Sequence, residues 1–293
     1  MEKIQSAIAK ARAARSEKAA SVAEGADSPV PAETADSANR APKAKADPLI
    51  LSDPIRTDAA WNAIPEFKPR AKRVMRNHIV AFDSGREAVP FDVMRTKLLQ
   101  QMRANKWRRL AITSPGGSCG KTTIALNLGF SLARQPNLHT LIAEVDLRRP
   151  SIAGILGIQE THSFAKVLDG SARFEDNVLR YGQNLAFATN RVPARNPAEL
   201  LHNPGVGPVL ADIETRFDPD LILFDTPPML IGDDAMAFMG HVDCVLLVAA
   251  AEKSTAKEID ICERELATQT NVLGVVLNKC RYMGPKYGYS YYD

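Results

Sequence analysis

Cysteine is scarce in this chain. The 293 residues hold four, Cys119, Cys244, Cys262 and Cys280, and no two are spaced as CxxC. That spacing excludes a zinc ribbon and a disulfide framework, and reads as reduced thiols of a cytosolic protein. Long apolar runs are also missing. The longest, residues 244–251, falls far short of the roughly 20 residues a membrane-crossing helix needs. The first thirty residues lack the apolar core of about 7–15 residues that marks a secretion signal. Work at a membrane would therefore need something other than a spanning helix to hold the chain there. Nor does one sign of charge dominate: the formal net charge is +3, too small to argue for a nucleic-acid partner.

Aromatic residues are absent before Trp61. The stretch 21–48 is rich in Ala, Pro, Ser, Asp and Lys and nearly free of large apolar side chains. It buries too little surface to offset the entropy of ordering, so residues 1–80 are expected to be mostly disordered. Two shorter features lie inside this region. Residues 1–20 are Ala-rich, and helical spacing would put Ile4, Ile8 and Ala11 on one face; this reads either as a solvated helix or as a docking helix for a partner or membrane surface. Residues 68–76 carry five basic side chains, which reads as a solvated linker or an anionic-membrane contact.

From residue 81 the pattern changes. Apolar runs at 110–113, 140–145, 185–189, 221–224, 245–249 and 272–277 alternate with helical-period stretches such as 122–134, 206–216 and 255–268. Strands apolar on both faces, separated by helices, imply an α/β fold with a mostly parallel sheet covered on both sides. The domain is expected to run over 81–281.

The first apolar run leads into Ser114-Pro115-Gly116-Gly117-Ser118-Cys119-Gly120-Lys121-Thr122-Thr123, and a helical stretch follows. That is the context of a phosphate-binding loop, and so of a P-loop NTPase. Glycines let backbone amides curl around phosphate oxygens, and the helix N-terminus adds positive potential. Residues 116–123 are expected to hold nucleotide, with Lys121 reaching the β- and γ-phosphates of ATP and the Thr122 hydroxyl on Mg²⁺. Cys119, within the loop, reads as a small buried thiol. Two acidic strand ends fit the same site. Residues 221–225 end in Asp225, as a Walker B strand does, at the end of the sheet where α/β ligands bind. Residues 141–150 put Glu144 and Asp146 two apart, on one side of an extended chain.

Together these motifs resemble the bacterial tyrosine kinases of capsule and exopolysaccharide synthesis. The matching segments are the phosphate loop, Glu144-Val145-Asp146-Leu147-Arg148-Arg149-Pro150, Asp225-Thr226-Pro227-Pro228, Asn196-Pro197-Ala198-Glu199-Leu200-Leu201 and the strand ending at Asn278. The resemblance spans about 91–293. It implies an ATP- and Mg²⁺-dependent tyrosine autokinase with Lys121, Glu144, Asp146 and Asp225 catalytic, Thr122, Asp146 and Asp225 at the metal, and Asn278 at the nucleotide. It also implies a homo-oligomer and a separate membrane partner of the polysaccharide chain-length regulator type. The chain has Glu144 where the family has Asp. At the family's interface helix, ExxRxxR before Thr, it has Val89, Asp92 and Arg95 before Thr96.

The tail points the same way. Five of the six tyrosines, Tyr282, Tyr287, Tyr289, Tyr291 and Tyr292, fall in residues 282–293 among Gly284, Pro285 and Gly288. This is the composition of a mobile phosphoacceptor segment. Two other readings stay open: a catalytically weak nucleotide-dependent switch of the export machinery, and a positioning ATPase of the ParA/MinD kind.

Overall fold

The computed structural model describes residues 59–281. The possible helix at 1–20, the stretch 21–48 expected from sequence to be disordered and the tail tyrosines lie outside those residues.

Seven strands form one sheet: β1 (Arg109–Thr113), β2 (Thr140–Glu144), β3 (Val178–Tyr181), β4 (Leu185–Ala188), β5 (Leu221–Asp225), β6 (Cys244–Ala250) and β7 (Asn271–Asn278). Their order is β3-β4-β2-β5-β1-β6-β7. Every neighbouring pair is parallel except β3 with β4. Alternate residues of each strand feed opposite faces. Leu141, Ala143, Ile222 and Phe224 join Phe164, Leu210 and Phe238 in one core. Leu110, Ile112, Ile142, Leu221 and Leu223 join Ile124, Leu128 and Phe130 in the other. Two apolar faces require helices on both sides, as the sequence pattern implied.

The packed chain begins earlier than residue 81, which corrects the expected boundary. Two short helices, α1 (Ala59–Asn62) and α2 (Ala71–Arg76), belong to the domain. Trp61, Ile64, Val74 and Ile79 are buried. The Trp61 ring stacks on His139 at 4.3 Å, and its indole N–H donates to the Gln183 carbonyl at 2.7 Å. Backbone bonds between Pro65, Phe67 and Arg180 cover the open edge of β3, and so remove a template for aggregation. Average composition misled here because four well-separated anchors, rather than a dense apolar run, hold the strap. The basic stretch 68–76 is likewise not all solvated linker: Arg73 donates from Nε to the Gly154 carbonyl at 3.0 Å.

Helix α3 (Val89–Asn105) lies against α4 (Lys121–Ala133). Its Asp92 accepts from Ser131 Oγ at 2.5 Å and pairs with Arg134, while Arg95 donates to the Ser131 carbonyl at 3.0 Å. Asp92 thus ties two helices of one chain together. The helices that matter for the site are α4 itself, α5 (Ile152–Leu156), α6 (Phe164–Leu168) and α7 (Pro197–Leu201). Beyond them follow α8 (Val206–Phe217), α9 (Asp234–Met239) and α10 (Ala256–Ala267). No helix among the described residues is long and apolar enough to cross a membrane.

Candidate phosphate and metal site

The loop between β1 and α4 wraps a cavity of about 290 Å³ whose lining includes Gly117, Ser118, Lys121, Thr122, Asp146, Arg148, Ser151, Pro228, Ile231 and Asp234. The chain enters α4 through Gly120 in the left-handed region, φ 95°, a conformation that glycine adopts without strain. A Cβ there would also stand 2.2 Å from the Asn278 amide. Asn278 donates to the Cys119 carbonyl at 2.9 Å, so it braces the loop from behind and does not line the cavity. Lys253 donates to the Gly117 carbonyl at 2.6 Å. Cys119 is buried, as expected. Gly116 and Thr123 flank the cavity-lining residues.

Three expected side chains meet at the start of α4. Lys121 is 7% exposed, and its ammonium lies 3.7 Å from Asp146 Oδ2. Thr122 Oγ donates to Asp225 Oδ2 at 2.6 Å. Asp225 Oδ1 is buried with no hydrogen-bond partner. An orphaned carboxylate oxygen beside a hydroxyl suits a hard divalent cation, which takes oxygen donors. The donor set therefore fits Mg²⁺. Burial pushes the Asp225 carboxyl up to about 6, against the pull of Lys121 and Thr122. Burial also raises Asp146, with Lys121 opposing.

Glu144 departs from the expectation that it acts beside Asp146. It is fully buried and does not line the cavity. The two-residue spacing puts side chains on one face only while the chain stays extended, and it does not. The amides of Val145 and Asp146 both donate to the Asp225 carbonyl, at 2.8 and 2.9 Å, and Leu147 turns back onto Val145 at 2.8 Å. The turn swings Asp146 into the cavity lining and leaves Glu144 behind the wall. There its Oε1 accepts from Ser151 N–H at 2.6 Å and Ile152 N–H at 2.8 Å, and its Oε2 accepts from Asn190 N–H at 2.8 Å. Burial raises this carboxyl to about 7, with the amides pulling the other way.

Sequence reading missed Ser151, Ile231 and Asp234. Asp234 is buried and pairs with Arg148, accepting from Nη2 at 3.0 Å. The Asp233-Asp234 pair after 225–228 was a signal for it, since Arg148 needs an acidic partner. Nothing in the sequence marked Ser151 or Ile231.

The model of the CobQ/CobB/MinD/ParA nucleotide-binding domain matches residues 110–286, and the loop and Asp225 fall inside that match. The chain belongs to that family. Among its relatives are a protein of Klebsiella pneumoniae named putative tyrosine-protein kinase in cps region, 28% identical over 74% of this chain. Tyrosine-protein kinase CpsD of Streptococcus pneumoniae is 28% identical over 64% of this chain and 83% of its own length. This chain spans only 32% of the Klebsiella relative. Solved structures agree. The kinase domain of Escherichia coli tyrosine kinase ETK aligns with TM-score 0.63 and 27% identity over 72% of this chain and 84% of that one. The VpsO kinase domain aligns with TM-score 0.59 and 32% identity over 66% of this chain and 96% of that one. These relatives uphold the resemblance to bacterial tyrosine kinases. The fold, at 18% identity and TM-score 0.51, is shared with a Mycobacterium smegmatis cobyrinic acid a,c-diamide synthase solved with an ATP analogue and magnesium.

Proposed function

We propose that this nucleotide-binding domain is an ATP-dependent protein tyrosine kinase that phosphorylates its own C-terminal cluster, Tyr282, Tyr287, Tyr289, Tyr291 and Tyr292, and regulates exopolysaccharide or capsule polymerisation and export. The observation that carries it is the meeting of Lys121, Thr122 and Asp146 on one cavity, with Asp225 bonded to Thr122 just behind it, in a chain whose relatives are named tyrosine kinases. The amides of 116–123 hold the phosphate chain of ATP. Lys121 neutralises charge on the oxygens of the transferring phosphoryl group. A tyrosine hydroxyl, with a pKa near about 10, needs a base as it attacks. Asp146 takes that proton; the γ-phosphorus bonds to the tyrosine oxygen, and ADP leaves. Magnesium, held by Thr122 and Asp225, would supply further charge neutralisation on the phosphates.

The kinase works as a homo-oligomer at the inner face of the plasma membrane, reached through a separate adaptor of the chain-length regulator type; relatives of capsule synthesis support this reading. The substitution of Glu144 for Asp favours a weak nucleotide switch only if Glu144 acts at the phosphates, and its side chain lies behind the cavity wall.

The test is intact mass and anti-phosphotyrosine detection after incubation with Mg·ATP, alongside Lys121→Met and a chain ending at Arg281. Phosphate on the wild type that vanishes in both variants is the expected result. No phosphate on the wild type, even with a membrane adaptor added, would sink the kinase reading.

A further inference from the structure

Four hydrogen bonds run from Glu144 to the metal end of the site. Glu144 Oε1 accepts the amides of Ser151 and Ile152 at 2.6 and 2.8 Å. The Ser151 hydroxyl donates to Thr122 Oγ at 3.3 Å, and Thr122 Oγ donates to Asp225 Oδ2 at 2.6 Å. The other carboxylate oxygen anchors the arrangement from the opposite side. It accepts the Asn190 amide, and the Asn190 side chain returns a bond to the Glu144 carbonyl at 3.0 Å and accepts the Ala165 amide at 2.8 Å. Two buried side chains therefore hold the region together: Glu144 joins the end of β2 to the start of α5 and the segment after β4, and Asn190 ties that segment to the start of α6.

We infer that Glu144 is a positioning residue that acts through the Ser151 backbone, and that the Ser151 hydroxyl is a further member of the metal-phosphate shell, orienting Thr122. The inference rests on the cavity being a Mg·nucleotide site. Three observations support it. Ser151 lines the cavity while Glu144 does not. Ser151 is the lining residue whose hydroxyl bonds to Thr122, the expected metal ligand. And Glu144 must reach amides on two sides at once. An aspartate is shorter by one methylene, roughly 1.5 Å, so it can satisfy one side and leaves the other amides buried without an acceptor. Partners one layer behind a metal ligand fix its orientation, and their loss typically weakens metal binding about 10–100-fold. Ser151 stands at the near edge of that range, because Thr122 keeps its bond to Asp225 without it.

The consequence runs against motif matching. Glu144→Asp, which restores the residue the resembling family carries, should weaken the site. Equilibrium binding of a fluorescent N-methylanthraniloyl-ADP to the full chain, titrated with MgCl₂ and repeated in EDTA, tests this together with thermal melting. For Ser151→Ala the magnesium concentration at half-maximal binding should rise about three- to tenfold, the size of one neutral hydrogen bond. Affinity in EDTA is the reference for each variant, so any direct contact of Ser151 with the nucleotide cancels from the magnesium midpoint. Ser151→Thr, which keeps the hydroxyl, should return the midpoint to within about twofold. Glu144→Asp should raise the midpoint at least as much and also lower the melting temperature. Adding Ser151→Ala to it should raise the midpoint no further, since both changes remove the same orienting hydroxyl.

A magnesium midpoint unchanged in Ser151→Ala, with wild type magnesium-dependent, overturns the inference and leaves the site reading intact. Additive midpoint shifts in the double variant overturn the route through Glu144. Wild-type binding that ignores magnesium overturns the site reading itself, and this inference with it. Where Glu144→Asp does not fold, the two Ser151 variants still decide the serine's role, and Asn190→Ala, which keeps the amide bond to Glu144 but removes its bracing side chain, replaces it as the test of the route. A raised midpoint there supports the route, and a wild-type midpoint overturns it.

Discussion

Asp225 and Glu144 are buried carboxyls on paired strands, in register with each other. Burial lifts them to about 6 and about 7, whereas unfolded carboxyls titrate near about 4. The folded, metal-free protein thus holds protons that the unfolded chain has already released. Stability from these groups is complete below about pH 4 and is lost as pH rises through about 6 to 7. Urea midpoints in EDTA should therefore be higher at pH 5 than at pH 7.5, and Asp225→Asn should flatten the difference; an equal slope in that variant would exclude Asp225 as a source. The thiols show a separate contrast. Burial raises Cys244 to about 12 and Cys262 to about 11, and Cys119 is buried beside them in class, while Cys280 is exposed. Because the thiolate is the reactive form, a maleimide at pH 7 should label the native protein once, at Cys280, as read by mass spectrometry of tryptic peptides.

At the scale of elements, the loop–α4 unit depends on a brace from the far end of the sheet. Gly120 takes φ 95° against the Asn278 amide. Alanine there forces a left-handed residue, at a cost of about 1–2 kcal/mol, and displaces Asn278 from the Cys119 carbonyl. Gly120→Ala should abolish nucleotide binding and lower the denaturation midpoint. Retention of wild-type ADP affinity would show that the loop tolerates losing its brace. The strap of α1 and α2 is the second case. Trp61 is buried and stacked on His139, so Trp61→Ala should cost about 3–5 kcal/mol in chemical denaturation, as large aromatic truncations in cores do. A loss under about 1 kcal/mol would mean the strap is a loose attachment.

For the whole molecule, the boundary of the packed unit makes a prediction of its own. A chain beginning at Thr57 keeps Trp61, Ile64, Val74 and Ile79, and one beginning at residue 81 loses all four along with the cover on β3. The first should melt at the wild-type temperature; the second should melt lower and aggregate through its exposed edge. Light scattering during the melt separates them.

Much of this molecule was legible in its sequence, and particular residues show where legibility ends. The six apolar runs became six strands: five are buried along their apolar length, and β7, at the sheet edge, is half-buried, but its run of Val and Leu still marks it. β3 escaped, since Val178–Tyr181 buries fully only its first two residues and pairs antiparallel at an edge. Helix α3 was reached only through the family resemblance and not from its periodicity, because its apolar face is weak and its contact with α4 includes Asp92, Arg95 and Ser131. Lys121, Thr122 and Asp225 were readable because a phosphate loop and a strand-end carboxylate are local patterns with fixed geometry. Glu144, Ser151 and Asp234 were not. Their roles depend on a backbone turn at Val145 and on partners 7 to 86 residues away in the chain. The sequence by itself determined the doubly covered parallel sheet and the phosphate loop, because burial periodicity and glycine spacing are local. Only the tertiary structure decided which of two neighbouring carboxylates faces the cavity, because that depends on where the strand stops being extended.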